Sequence, residues 1–334
     1  MTRGMQLWIP PLIGALIYPG LMFSFGWALN DYRETGSPFQ AAWAVLTMLL
    51  AASVPALAMR ALILLRHDDR PVLARGFLCL MFAIPSLFTL TYSLTRMAGE
   101  DQHISAIWIL GWSAIGMLLY FSEGRNESPP HATGVTWLRV IHGATALCLL
   151  CGFLIAHLIN HDLAVWSVAL HRAAMKSLRL WYRSEWVEPV LLGLLFVMLC
   201  TGVPMVVHHS RRRMDAFRVI QMATGVYLGV FLCSHVLAVL SGRRAGVETD
   251  WSFAAGPTSL LDGIGLRGRL IPHYFMAALV LILHAACGLR VVLLQHGVAR
   301  NVGNRVLYGL ASVALIVTVL STAALLGVHV ESSH

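Results

Sequence analysis

The sequence predicts an all-α protein that crosses a membrane about nine times. Of its 334 residues, 57% are hydrophobic and only 12% are charged, whereas soluble domains carry about 25% charged residues. Runs of about 20 apolar residues recur along the whole chain, and each is long enough to cross a hydrocarbon core of about 30 Å. These observations exclude both a soluble and an intrinsically disordered protein.

The net charge of +8 does not indicate a nucleic-acid partner. The basic residues stand at the ends of apolar segments, where they act as orientation signals for membrane insertion. The six cysteines all lie within apolar runs and imply no disulfide framework. Among them, Cys148 and Cys151 form a CxxC pattern, which we interpret as packing of small residues at lipid depth.

Nine segments have the length and composition of membrane-spanning helices. They cover residues 7–29, 40–65, 73–95, 105–121, 137–161, 188–208, 217–240, 272–295 and 304–327. Charged or helix-stopping residues separate them, most clearly at 30–33, 67–71 and 124–130. No small-residue cleavage site precedes Asp31, so the first segment is interpreted as a retained span.

The dipeptide Pro129-Pro130 is the predicted boundary between two modules. Residues 1–125 form a four-span module of unknown role, and residues 135–330 form a five-span module. Two connections of the second module, about 162–187 and 241–271, are longer than the others and rich in aromatic and polar residues.

Charge distribution predicts a cytoplasmic N-terminus and an outer C-terminus. In that orientation the two most basic short loops, 66–75 and 211–218, face the cytoplasm, as the positive-inside rule requires. The long outer connections also carry basic residues, which are Arg172, Lys176, Arg179, Arg183, Arg243 and Arg244. We expect a multi-pass protein of the bacterial inner membrane, in contact with lipid.

An internal repeat places one histidine in each of two spans. Residues 138–145 (LRVIHGAT) are echoed by residues 217–224 (FRVIQMAT), and the echo continues to His157 and His235. Both histidines lie roughly 26 Å from the inner ends of their helices at 1.5 Å per residue. Two imidazoles at one depth are suited to ligate a haem iron. The alternative is a histidine pair hydrogen-bonded to backbone or to each other.

His284 lies near the middle of the eighth span, about 16 Å from its outer end. It therefore cannot share an iron with the outer histidines and would serve a second, more cytoplasmic haem. Its partner is expected on the sixth span, which offers only Met198 at mid-depth. Methionine ligates haem in some cytochromes but more often fills a core. We expect one haem b, and a second only if His284 finds a ligand; a packed, unligated His284 is the alternative.

Two motifs carry a family resemblance. They are Gln221-Met222-Ala223-Thr224-Gly225, followed ten residues later by His235, and His284-x-x-x-Gly288-x-Arg290. With the histidines on the first, third and fourth helices of the module, residues 135–330 resemble the transmembrane cytochrome b subunit of the succinate dehydrogenase/fumarate reductase superfamily, in its five-helix single-chain form. The resemblance implies that His157 and His235 ligate an outer haem and His284 an inner one. The family's second-helix histidine has no counterpart here.

Further polar residues are candidates for the quinone chemistry of such a protein. Glu188 would accept a proton from quinol oxidation, or is simply an acid favoured at a helix N-terminus. His273 would hydrogen-bond a quinone carbonyl, or lie at the interface. The matched pair His142 and Gln221 is compatible with a quinone pocket.

Three arginines at inner helix ends, Arg139, Arg218 and Arg290, would pair with haem propionates, contact a soluble partner or act as snorkelling anchors. A metal site built from His157, His161, His171 and Glu188 is a weaker alternative to haem ligation.

The sequence therefore predicts a b-type cytochrome that carries electrons between the quinone pool and a soluble or membrane-bound redox subunit. No motif for flavin, nicotinamide or an iron–sulfur cluster occurs, so a complete oxidoreductase would need other subunits. The competing hypothesis is a non-redox scaffold or transporter that kept the fold and lost haem, although the lack of mid-membrane carboxylates disfavours coupled transport. A third is a relative of the di-haem b subunits of formate dehydrogenases or hydrogenases.

Overall fold

The computed structural model of the chain describes residues 3–67, 72–122, 135–262 and 265–331. In these segments all regular secondary structure is helical. The α-helices are α1 (Arg3–Thr35), α2 (Pro38–Leu64), α3 (Val72–Phe82), α4 (Ile84–Met97), α5 (Ile104–Ser122), α6 (Thr136–Leu149), α7 (Ile155–Leu163), α8 (Val168–Tyr182), α9 (Val187–Ser210), α10 (Ala216–Arg244), α11 (Trp251–Ala255), α12 (Leu270–Gln295) and α13 (Arg300–Leu325).

Eight of the described helical segments are long and apolar enough to cross a membrane. They are Met5–Thr35, Pro38–Leu64, Asp101–Ser122, Thr136–Leu163, Val187–Ser210, Ala216–Arg244, Leu266–Gln295 and Arg300–Leu325. Each matches one predicted span to within a few residues, which confirms the all-α multi-pass architecture.

The third predicted span, residues 73–95, is not one straight helix. It is broken at Ala83 into α3 and α4, and the two pieces are bent by 76°. Pro85 stands in the first turn of α4, where its missing N–H costs nothing, whereas inside a continuous helix it would remove a hydrogen bond and clash with the preceding turn. The described part of the chain therefore contains eight helices that are long and apolar enough to cross a membrane, or nine candidate spans if the bent pair crosses as one.

The fifth predicted span contains one π-helical turn, Leu150–Leu154, which joins α6 to α7. A π turn inserts one extra residue and rotates everything beyond it around the helix axis. Cys151 and Gly152 both lie in this turn. The turn therefore sets the face on which His157, three residues beyond it, projects.

Beyond this span, α8 lies in the connection predicted to be long and polar. Ser167 caps its first turn by accepting a hydrogen bond from the backbone N–H of Ala169 (3.2 Å). His171 and Met175 are buried, one turn apart, whereas Arg172 and Lys176 are exposed. The helix is thus amphipathic, with one face packed on its own unit.

The described residues form two compact units. The first falls within Met1–His131, His209–Ala238 and Gly263–His273, and the second within Ala132–His208, Val239–Asp262 and Tyr274–His334. The predicted boundary at Pro129-Pro130, and the predicted break at 68–71, lie outside the described residues.

The core of the first unit contains an aromatic cluster of Tyr18, Phe88 and Trp108. The Phe88 ring meets the other two edge-on, with centroids 5.5 and 5.2 Å away. The Trp108 indole N–H donates to the carbonyl of Ala15 (2.6 Å). This cluster joins α1, α4 and α5, so the module of unknown role has a specific packed interior.

Candidate functional site

The second unit brings together two histidines from different spans. The imidazole rings of His142 on α6 and His284 on α12 lie side by side in an edge-on arrangement, with centroids 6.4 Å apart and ring planes at 69°. Both side chains are half-buried. The sequence predicted that a partner for His284 would come from the sixth span; the structure instead places His142, on the fifth span, beside it.

The sixth span contributes Thr201 of α9 to this pair. The Nδ1 atom of His142 lies 2.8 Å from the Thr201 hydroxyl. That hydroxyl donates its single proton to the carbonyl of Val197 (2.7 Å), so it accepts from the imidazole. The hydrogen-bond network thus assigns the Nδ1–H tautomer to His142, with its lone pair on Nε2.

This donor set fits the axial ligation of a haem iron. Neutral imidazoles are the commonest nitrogen ligands, and a ligating histidine usually donates its other ring N–H to a fixed acceptor. Each metal–nitrogen bond is about 2 Å long, so imidazoles whose ring centroids lie 6.4 Å apart are close enough for both to bind one metal ion. The sequence signal for His142 was the repeat itself, in which Gln221 replaces it.

The two outer histidines make the same local contact in separate units. In the second unit, His157 stacks on Phe153 with centroids 4.9 Å apart and an angle of 24°. In the first unit, His235 stacks on Phe231 with centroids 5.3 Å apart and an angle of 15°. The repeated Phe-x-x-x-His pattern therefore has one structure in both copies, while the ligation of one iron by His157 and His235 stays a prediction.

A row of imidazoles continues from His157 into the layer outside the spans. His161 contacts His157 (4.7 Å between centroids) and His171 (5.6 Å). His171 donates from Nδ1 to the carbonyl of Asn160 (2.7 Å) and is 2% exposed. Among the described residues no group of three or more His, Cys, Asp or Glu side chains is arranged to hold a metal ion. The alternative metal site of His157, His161, His171 and Glu188 is therefore not found among them.

His273, a candidate quinone ligand, is buried in the first unit. Its Nδ1 atom lies 3.0 Å from the hydroxyl of Ser86, and its carbonyl accepts from the hydroxyl of Tyr227 (2.9 Å). Its ring contacts Phe231 (4.8 Å between centroids). Ser86 stands just after the break in the third span, so the N-terminal module contributes directly to the surroundings of His273.

Glu188, the candidate proton acceptor, forms a two-pronged ion pair with Arg243. One guanidinium nitrogen donates to Oε1 and the other to Oε2 (3.2 Å). The contact supports the helix-end role, and proton transfer at Glu188 stays a prediction.

The three candidate propionate-binding arginines have different environments. Arg139 is exposed. Arg218 donates to the side-chain oxygen of Gln221 (2.8 Å), and Arg290, only 4% exposed, donates from Nε to Asn304 of α13 (2.7 Å). Their predicted contact with haem stays a prediction.

Comparison with known proteins adds no assignment. No protein-family model matches the chain, and neither a search of curated proteins nor one of solved structures finds a match. The superfamily resemblance of residues 135–330 therefore rests on the motifs alone.

Proposed function

We propose that the protein is a b-type cytochrome of a membrane, which carries electrons between the quinone pool and a partner redox protein. The observation that supports this most is the contact between His142 and His284, two imidazoles from different spans with ring centroids 6.4 Å apart. The tautomer of His142 is assigned by its hydrogen bond with Thr201. A histidine inside a membrane span is costly and marks a functional site by default.

In this proposal His142 and His284 would hold the haem iron through their ring nitrogens. The haem would supply a one-electron iron couple within the membrane, and the protein would set its position and potential. Thr201 keeps His142 in the ligating tautomer and orients its ring. Arg290, buried on α12 six residues beyond His284, places a positive charge on the same helix.

The location, orientation, substrate and partner in this proposal are those predicted from the sequence. We place the protein in the bacterial inner membrane with a cytoplasmic N-terminus, and we take quinone as its substrate and a soluble or membrane-bound subunit as its redox partner. A second haem ligated by His157 and His235 belongs to the same proposal.

The competing function is transport, and one observation favours it. Broken helices within a membrane bundle are typical of transporter sites, and α3 and α4 form such a break. If the purified protein contained no haem and carried out transport, that result would support this alternative.

The test is a reduced-minus-oxidised visible spectrum of the purified protein, with haem quantified per chain. We expect a b-type band that decreases in both His142→Ala and His284→Ala and is unchanged in His296→Ala, which removes a histidine beyond the end of α12. Wild-type protein without haem, although well folded, would contradict the cytochrome function. A band that survives both ligand variants but is lost in His157→Ala would keep the function and reject the inner pair.

A further inference from the structure

A cavity of about 280 Å³ lies in the second unit, at the end of the span formed by α6 and α7. Its walls come from α7, from the turn that follows and from α13. The lining residues are Ile159, Asp162, Leu163, Val165, Trp166 and Leu320. Five of the six are apolar, so one carboxyl group provides nearly all of the polarity of the cavity.

Asp162 is the feature that needs an explanation. It stands in the last turn of α7, one residue before the end of the apolar segment Thr136–Leu163. Its Oδ1 atom accepts a hydrogen bond from the hydroxyl of Ser321 on α13 (2.5 Å). One hydroxyl satisfies only part of the acceptor capacity of a carboxylate, which has about four lone-pair positions.

Two of the residues that line the cavity are exposed at the surface of the unit. Ile159 is 55% exposed and Trp166 is 57% exposed, and tryptophan at the end of a span is typical of the membrane–water interface. A ligand therefore enters from the lipid phase, close to the headgroup level. It must offer an apolar body to the leucines and a hydrogen-bond donor to Asp162.

We propose that this cavity binds the head group of a quinol, with its ring between Leu163 and Leu320 and one hydroxyl donating to Asp162. The assignment rests on the proposed function and names the substrate-binding site for it. The volume is close to the lower end of small-ligand sites, about 300 Å³, which suits a single ring. A lipid acyl chain fits the walls less well, because it would bury the carboxylate without a donor.

The chemistry predicts which redox form binds. A quinol carries two hydroxyl donors, whereas a quinone carries only carbonyl acceptors, and two acceptors do not pair. The site therefore prefers the diol to the dione. An amide at position 162 both donates and accepts, so Asp162→Asn removes this preference.

The experiment is anaerobic calorimetric titration of the detergent-solubilised protein with duroquinol and with duroquinone. We expect wild type to bind duroquinol at least tenfold more tightly than duroquinone. Asp162→Asn is expected to bind both about equally, and Asp162→Leu is expected to lose duroquinol binding. Asp101→Asn, which changes an exposed carboxylate in the first unit, is the matched control and is expected to behave as wild type. Circular dichroism verifies that each variant is folded.

Failure of this inference is distinguishable from failure of the proposed function. Haem-containing protein that binds duroquinol equally in wild type, Asp162→Asn and Asp162→Leu would overturn the site and leave the cytochrome intact. Haem-free protein with the expected order of affinities would support the site and overturn the cytochrome.

Discussion

The Nδ1 atom of His142 lies 2.8 Å from the hydroxyl of Thr201, on a different span. The hydroxyl proton is committed to the carbonyl of Val197, so the imidazole is the donor. Thr201 therefore selects the tautomer of His142 and orients its ring. Backbone carbonyls have the same role for histidines that bind metal ions.

Replacing Thr201 tests this role directly. Thr201→Val keeps the shape and removes the acceptor, and we expect a tenfold to hundredfold loss of haem affinity, roughly the effect of losing an outer-shell partner. We also expect a higher midpoint potential in the haem that remains, because a less basic imidazole stabilises the ferric state less. Thr201→Ser should restore both values. Haem titration and potentiometry provide the readouts, and a Thr201→Val protein equal to wild type in both would refute the role.

We expect Arg75 to make a large contribution to the stability of the first unit. It is 1% exposed, and its guanidinium donates to the carbonyls of Leu65 (2.6 Å), Ser210 (2.9 Å) and Arg212 (3.1 Å). Arg75→Ala would leave buried carbonyl groups without these donors, at about 1–3 kcal/mol each. We expect a loss of about 3 kcal/mol or more of unfolding free energy in detergent.

Two further variants test whether the buried contacts of Arg75 cause this loss of stability. Arg75→Lys should recover part of the loss, since an ammonium reaches fewer of the three carbonyls. Arg60→Ala, on the exposed side of α2, should stay within about 0.5 kcal/mol of wild type. Equal stability of Arg75→Ala and Arg60→Ala in a denaturant titration would show that the buried contacts contribute little.

His171 makes stability depend on pH. Burial lowers the pKa of His171; the hydrogen bond to the Asn160 carbonyl and the charge of Asp250 oppose this, and Arg172 and Arg179 add to it. The folded state therefore favours the neutral ring, which also contacts His161 and Trp251. Its contribution is fully present above the unfolded pKa of about 6.5. It is lost as pH falls from there through the lower folded value.

We expect wild type to lose more stability than His171→Gln between pH 7 and pH 5, because the variant has no group to protonate. Thermal unfolding of both proteins in buffers of constant ionic strength measures the difference. Parallel pH profiles for the two proteins would exclude His171 as the source.

The broken third span determines the topology. If α3 and α4 together cross the membrane, nine spans place the two ends of the chain on opposite sides; if they do not, eight spans place them on one side. We expect nine, with the basic loops inside. A periplasm-active reporter fused after residue 331 should be active, and the same reporter inserted at Gly36 should be active as well, because a cytoplasmic N-terminus places the first loop outside. An inactive C-terminal fusion with an active Gly36 insertion would show that the bent pair does not cross.

Much of the architecture was predictable because its causes are local. Each span is set by about 20 consecutive apolar residues and by the charges that flank them, and eight of the nine predicted spans are single segments in the structure. The stack of each outer histidine on the phenylalanine four residues earlier is also local, since residues i and i+4 share a helix face.

What the sequence did not show is which side chains meet between helices. His142 and His284 belong to spans separated by more than a hundred residues, and their meeting depends on how α6, α9 and α12 pack and rotate. Asp162 stands at a helix end and was not singled out from the sequence, because its hydrogen bond with Ser321 depends on the packing of α7 on α13. Composition along the chain determines where helices cross a membrane, whereas the site arises from side chains that are distant in sequence, and only three-dimensional packing decides which of them meet.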